Sequence, residues 1–105
     1  MENLKKAFRE FNDERDWHQF HTPDNLAKSV CIEAAELLEC FQWSAEDFDK
    51  EHVCEELADV LSYCIMLADS IDVDINEIVL AKIEKNRLKY PVQKSKGSSA
   101  KYDEL

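Results

Sequence analysis

The sequence predicts an all-α fold built as a single domain of 105 residues. Only one Gly and two Pro are present, so residues that favour turns and hairpins are scarce. Hydrophobic residues make up 45% of the chain and charged residues 34%, a balance that suits amphipathic helices. Apolar side chains also recur every three or four positions. Together these observations favour helices packed around one modest core.

The first helix is predicted over residues 2–16 and is followed by an aromatic connector, DWHQFHTP. Its apolar positions are Leu4, Ala7, Phe8 and Phe11. Thr22 followed by Pro23 is a helix-start signal, because the hydroxyl can cap the helix and proline is tolerated in the first turn. We therefore predict a second helix over about residues 23–42.

A third helix follows the connection WSAEDFDKE, in which Ser44 or Asp49 could provide the cap. Its apolar stripe consists of Val53, Leu57, Val60, Cys64, Leu67 and Ile71. A fourth helix is predicted over about residues 75–89, where Tyr90-Pro91 ends it. We thus expect a helical domain over residues 1–91 and a polar, basic, extended tail over 92–105.

Composition excludes several classes of protein. The net charge of −10 argues against binding a nucleic-acid polymer, which requires lysine and arginine at the phosphates. Neither an apolar run long enough for a membrane span nor a signal peptide is found. The four cysteines lack C-x-x-C spacing, which favours reduced thiols that fill the core of a cytoplasmic protein.

Two pairs of acids occupy equivalent positions on the second and third helices. At about 100° per residue, Glu33 lies at the border of its apolar stripe and Glu36 about 60° further out. Glu56 and Asp59 repeat that placement on the same side of the next stripe, with Tyr63 between them. If the helices pack as an antiparallel hairpin, the four carboxylates converge. Their levels along the helices favour Asp49 over Ser44 as the cap.

Four ionised carboxylates in such a space need a positive partner. An all-oxygen ligand set favours Mg²⁺ first and Mn²⁺ second. The alternative is that these acids are ordinary solvated charges in a chain that carries 23 of them.

Aromatic and basic residues supply two further groups of candidates. Rings at Trp17, His18, Phe20, His21, Trp43 and Tyr63 could sandwich a nucleobase, whereas a core or dimer interface better explains Phe8, Phe11 and Phe20. Seven of the thirteen basic residues fall in the last 24 positions and could hold phosphates, or could complement the end of a helix. They are Lys82, Lys85, Arg87, Lys89, Lys94, Lys96 and Lys101.

The E-x-x-E and E-x-x-D pairs resemble the signature of the all-α nucleoside triphosphate pyrophosphohydrolases, the MazG-like superfamily. The segments ERDWHQFHTPDNLAKSV, FQW, EELADVLSY, KNRLKYPV and KGSSAKYDEL look like its dCTP pyrophosphatase branch. The resemblance covers nearly the whole chain.

This resemblance implies a four-helix bundle that assembles as a homodimer or a dimer of dimers. It implies Mg²⁺-dependent hydrolysis of a (deoxy)nucleoside triphosphate, dCTP or a modified dCTP, to the monophosphate and pyrophosphate, in nucleotide-pool house-cleaning. The metal-binding and catalytic acids would be Glu33, Glu36, Glu56 and Asp59. The base and sugar pocket would be Trp17, His21, Trp43 and Tyr63, and the phosphates would lie near Lys82, Asn86 and Arg87.

One departure and two rival functions remain. The connection between Trp43 and Glu56 is shorter than in animal members of the branch, which leaves base preference open. A di-iron bundle would need Glu-x-x-His on two helices, and the sequence has no such pair. A non-catalytic helical dimerisation module, with acids that only solubilise it, is the other alternative.

Overall fold

The computed structural model of the chain describes residues 1–101, and it confirms the all-α prediction: these residues form helices and no strand. The helices are α1 (Glu2–Arg15), α2 (Pro23–Glu39), α3 (Lys50–Ser70), α4 (Ile75–Lys89) and the single turn α5 (Val92–Ser95), with a 3₁₀ turn at His18–Phe20. Within residues 1–101, no helix combines the length and apolar character needed to cross a bilayer.

The chain forms two compact units. The first, Met1–Val73, contains α1, α2 and α3, and the second begins at Asp74 and contains α4 and α5. The predicted boundary between a helical domain and a tail at residue 91 stays a prediction.

Helices α2 and α3 pack as an antiparallel hairpin. The rings of Phe41 and Phe48, at the closed end, lie 4.9 Å apart. Leu26, near the start of α2, lines the same small cavity as Met66, near the end of α3. Residues late in one helix thus meet residues early in the next, which is the arrangement that brings the two pairs of acids together.

Three polar contacts join α1 to α3 and to the turn that follows it. Lys5 donates a hydrogen bond to the Val73 carbonyl at 2.7 Å. Arg9 forms a two-point ion pair with Asp69, in which Nε lies 2.9 Å from Oδ2. Asn12 Nδ2 donates to the Met66 sulfur at 3.3 Å. Because ascending positions on α1 meet descending positions on α3, these two helices are also antiparallel.

The buried apolar side chains are Leu26 on α2 and Ile65 and Ala68 on α3. The predicted stripe of the third helix is partly wrong, because Leu57 and Ile71 are exposed. The most buried residues of α1 are polar rather than apolar: Lys5 and Asn12.

The cysteine prediction is partly wrong as well. All four thiols are free. However, Cys31 and Cys54 are exposed, so they do not fill the core as expected.

Side-chain caps set the helix starts as the sequence indicated. Thr22 Oγ1 accepts a hydrogen bond from the Asn25 amide, and Asp49 Oδ1 accepts from Glu51 at 3.0 Å. The preference for Asp49 is confirmed, while Ser44 instead organises a turn by accepting from the amide of Asp47.

Two chain segments differ from expectation. Helix α2 ends at Glu39 rather than near residue 42, because residues 40–42 change to hydrogen bonds that span three residues. The region after Pro91 is not simply extended, since Val92–Ser95 forms a helical turn. Residues 102–105 of the predicted tail lie outside the described part of the chain.

Candidate active site

Three carboxylates meet between α2 and α3. Glu33, Glu56 and Asp59 each offer an oxygen, and these oxygens all lie within 4.8 Å of one another. Glu33 and Glu56 are half-buried, whereas Asp59 is exposed. Since the antiparallel hairpin fixes their relative level, the cluster follows directly from the packing of the two helices.

Burial and mutual repulsion disfavour the charged forms of Glu33 and Glu56. The pKa of Glu33 is raised to about 7, first by a hydrogen bond with Glu36, then by burial and by the charges of Glu36, Asp59 and Glu56. Burial, followed by the charge of Glu36, raises the pKa of Glu56. Glu36 therefore interacts with both neighbours although it is not one of the three closest acids.

The cluster suits a hard divalent cation. One oxygen of Glu33 and one of Glu56 are buried and have no hydrogen-bond partner within residues 1–101. Buried carboxylate oxygens normally have partners, so these two call for a ligand. A set made only of carboxylate oxygens is what Mg²⁺ or Mn²⁺ prefers.

His52 lies beside the cluster and was missed by the sequence analysis. Its Nε2 is 3.3 Å from Glu56 Oε1, one helical turn away on α3. This contact lowers the pKa of Glu56, whereas burial and the charge of Glu36 raise it. The i, i+4 spacing of His52 and Glu56 is the signal that could have revealed it.

An aromatic cavity of about 340 Å³ adjoins the acids. Three of the four predicted base-pocket residues line it: Trp17, His21 and Tyr63. Asp59 lines it as well and thereby belongs both to the cavity and to the acid cluster. The remaining lining residues are Ala7, Phe8, Phe11, Asn12, Ser62 and Met66.

Edge-to-face contacts hold the rings of the cavity. Trp17 lies 5.6 Å from Phe11 and 6.4 Å from His21, both in T-shaped geometry. Burial, then the nearby His18, lowers the pKa of His21, which favours its neutral form. Burial and the charges of Glu33, Asp59 and Glu36 raise the pKa of Tyr63, so its phenol keeps its proton.

Trp43 does not line this cavity. It follows α2 in the connection to α3 and its side chain is 90% exposed. Its assignment to the base pocket stays a prediction.

The predicted phosphate-binding residues lie on α4, in the second unit. Lys82 and Asn86 line an exposed groove together with Ile78, Val79 and Ile83. Arg87 pairs with Glu84 at 2.7 Å on the same helix. Their role toward phosphate also stays a prediction.

Asn12 is a second residue that the sequence analysis missed. It is 4% exposed and lines the aromatic cavity. The available signal was its spacing of four from Phe8, which places it on the inner face of α1.

Comparison with known proteins agrees with the resemblance found in the sequence. Residues 28–105 match the model of the MazG-like family. The whole chain is 39% identical to "dCTP pyrophosphatase 1" of Bos taurus and of Mus musculus, covering 68% and 67% of those proteins. The crystal structure of a pyrophosphatase from Archaeoglobus fulgidus is similar with a TM-score of 0.81 and 46% identity. That match covers 87% of this chain and 92% of the other.

Proposed function

The chain belongs to the MazG-like family, and from this membership we propose that it hydrolyses a (deoxy)nucleoside triphosphate to the monophosphate and pyrophosphate. The fold is accordingly the all-α MazG-like fold, and the protein is a nucleoside triphosphate pyrophosphohydrolase.

One observation carries the assignment of the site. Asp59 is shared by the acid cluster and the aromatic cavity, so a charged centre and a surface for a flat ring lie side by side. A nucleotide has this same combination, with a stackable base at one end and phosphates at the other. The arrangement supports a substrate that spans both parts.

We propose that Glu33, Glu56, Asp59 and Glu36 hold Mg²⁺, with Mn²⁺ as an alternative. When bound, such a cation supplies charge neutralisation for the triphosphate and for the departing pyrophosphate. The packing of α2 against α3 holds these carboxylates close together, so the site is preorganised for the cation.

Glu36 is our candidate for orienting the attacking water and taking up its proton. It lies next to Glu33 and Glu56 but is more exposed than either, which leaves its carboxylate accessible. A positioned carboxylate of this kind contributes roughly 100- to 10,000-fold to such reactions.

The rings would bind the base and sugar. Trp17 and Tyr63 offer flat surfaces in the cavity, and His21 offers a neutral imidazole whose buried Nδ1 has no hydrogen-bond partner within residues 1–101. We also propose that the Trp43 ring stacks on the base from the edge of the base pocket. Lys82, Asn86 and Arg87 are proposed to contact the phosphates, on the strength of the resemblance.

The proposed substrate is dCTP or a modified dCTP. The relatives that span the full chain are named dCTP pyrophosphatase, and this supports a cytosine nucleotide. House-cleaning of the nucleotide pool is the corresponding cellular role, and the cytoplasm is its proposed location.

Self-association is a further part of the proposal. Several large apolar side chains of Met1–Val73 are exposed, including Ile32 and Leu38 on α2 and Leu61 on α3. Exposed apolar surface of this kind typically marks an interface, which supports a homodimer or homotetramer.

The decisive experiment is a panel of canonical and modified nucleoside triphosphates, incubated with and without Mg²⁺ and analysed for monophosphate and pyrophosphate. We expect both products in equal amounts and only with the cation. A chain that releases neither product, and whose melting temperature does not respond to Mg²⁺, is instead the non-catalytic dimerisation module.

A further inference from the structure

Asn12 is a buried polar side chain for which the chemistry above provides no role. It is 4% exposed, and its Nδ2 donates to the sulfur of Met66 at 3.3 Å. A thioether is a weak acceptor, while an amide has two N–H donors and a carbonyl acceptor. Burying an amide with so weak a partner is costly, so its presence in the wall of a cavity calls for an explanation.

Its position is where two cavities adjoin. Besides the aromatic cavity, a smaller one of about 70 Å³ is lined by Asn12, by the apolar Phe8, Leu26 and Met66, and by five further polar side chains. Those polar residues are Arg9, His18, His21, Asp69 and Ser70. Asn12 therefore lines both cavities and lies on the side of the aromatic cavity that adjoins these polar residues.

Other polar groups in the aromatic cavity already have functions. Ser62 Oγ donates to the Ala58 carbonyl at 2.6 Å, and Asp59 belongs to the acid cluster. The amide of Asn12 is a group in this wall that can both donate to and accept from a ligand.

We propose that Asn12 reads the hydrogen-bonding edge of the base and so determines base specificity, an inference that rests on the proposed function. Its Nδ2 would donate to N3 of cytosine and its Oδ1 would accept from the 4-amino group. On cytosine, the N3 acceptor and the 4-amino donor lie side by side, so one side-chain amide can bind both. Asparagine binds the adjacent donor and acceptor of adenine in the same way.

The first arm of the test changes the protein. Asn12→Ala removes both the amide donor and the amide acceptor. Asn12→Asp keeps the shape of the side chain but replaces the donor by a charged acceptor. We expect kcat/KM for dCTP to fall roughly 10- to 100-fold in both variants, the range that such a paired contact provides. Hydrolysis of deoxyribose triphosphate without a base should stay unchanged.

The control is Asn25→Asp, which makes the same chemical change at an exposed position. Asn25 Nδ2 donates to the carbonyl of Phe20, outside the cavity. Its ranking of nucleotide substrates should match that of the unaltered protein. Circular dichroism verifies that each variant is folded.

The second arm changes the ligand and needs only the unaltered protein. In 3-deaza-dCTP the N3 acceptor is replaced by C–H, so kcat/KM should fall roughly tenfold relative to dCTP. Asn12→Ala, if folded, should no longer distinguish the two compounds.

The outcomes distinguish a failure of the proposed hydrolase function from a failure of the role proposed for Asn12. If no triphosphate is hydrolysed, with or without a base, the proposed function and this inference both fail. If dCTP is hydrolysed but 3-deaza-dCTP is an equal substrate, only the role of Asn12 is overturned. Equal losses with dCTP and with the baseless triphosphate would likewise overturn it, since they indicate a purely structural residue.

Discussion

Lys5 and Val73 join the first helix to the turn after the third: Lys5 Nζ donates to the Val73 carbonyl at 2.7 Å although the lysine is only 6% exposed. A lysine is rarely buried without a partner. This hydrogen bond, with Glu2 Oε1 at 3.9 Å from the same Nζ, gives the ammonium group its partners and ties α1 to the turn that precedes Asp74.

The first prediction concerns this contact. Lys5→Met keeps the aliphatic stem but leaves the carbonyl without its donor, and should lower the free energy of unfolding by about 1–3 kcal/mol. Urea titration followed by circular dichroism measures it. Lys6→Met, at the exposed neighbouring position, should change the stability by less than about 0.5 kcal/mol. Equal effects at both positions would contradict a specific role for Lys5.

The second prediction is a pH dependence of stability in the presence of a chelator. Folding raises the pKa of Glu33 from 4.5 to about 7. Glu33 therefore binds a proton more tightly in the folded chain than in the unfolded chain. Stability should therefore fall as the pH rises from about 4.5 to about 7. Melting temperatures between pH 4.5 and 8 measure the slope.

The matched controls for that slope are two glutamate variants on α2. Glu33→Gln should flatten it, whereas Glu39→Gln, at an exposed position, should leave it unchanged. Mg²⁺ should raise the melting temperature most above pH 7. A slope that survives Glu33→Gln intact would show that another group is responsible.

The third prediction tests the acids in catalysis. Glu36→Gln and Asp59→Asn should each keep full helicity while lowering kcat at least about 100-fold, because each removes a charge from the proposed reaction centre. Initial rates of pyrophosphate release measure the loss. Asp47→Asn, an exposed acid in the connection, is the control. Full activity in either test variant would show that the acids serve another purpose.

The fourth prediction concerns Trp43. Trp43→Ala should leave the stability nearly unchanged, since the ring is largely exposed. If the ring stacks on the base from the rim, KM should rise by roughly 5- to 100-fold, with a much smaller effect on kcat. Steady-state kinetics with dCTP distinguish the two constants, and an unaltered KM would count against stacking.

The fifth prediction concerns Trp17, which lines the cavity itself. Trp17→Ala should raise KM for dCTP far more than KM for the baseless triphosphate, because only dCTP loses a base stacked on the ring. The ratio of KM values for these two substrates is the measurement. A parallel rise for both would mean that the substitution has collapsed the cavity instead.

Local signals in the sequence were enough to predict the helices and the convergence of the acids. Thr22 and Asp49 define helix starts because their side-chain oxygens accept hydrogen bonds from backbone amides only two or three residues away. Glu33 and Glu56 then meet because helix periodicity and an antiparallel hairpin fix their faces.

What the sequence could not predict depends on partners far along the chain. A lysine within a helical pattern is normally read as surface, and the burial of Lys5 depends on a carbonyl 68 positions away. The exposure of Leu57 and Ile71 has the same origin, since periodicity gives a face but not the neighbour that covers it. Trp43 was assigned by its aromatic ring and by resemblance, whereas its position follows from the connection rather than from a helix.

The Phe41–Phe48 contact has a consequence for how this family can diversify. The pair closes the connection at its base, so residues 42–47 form a loop whose length can vary without shifting one helix along the other. Insertions there would alter the connection that carries Trp43 while the acids keep their register. If Trp43 contacts the base as proposed, ligand choice can evolve separately from the bond-breaking step.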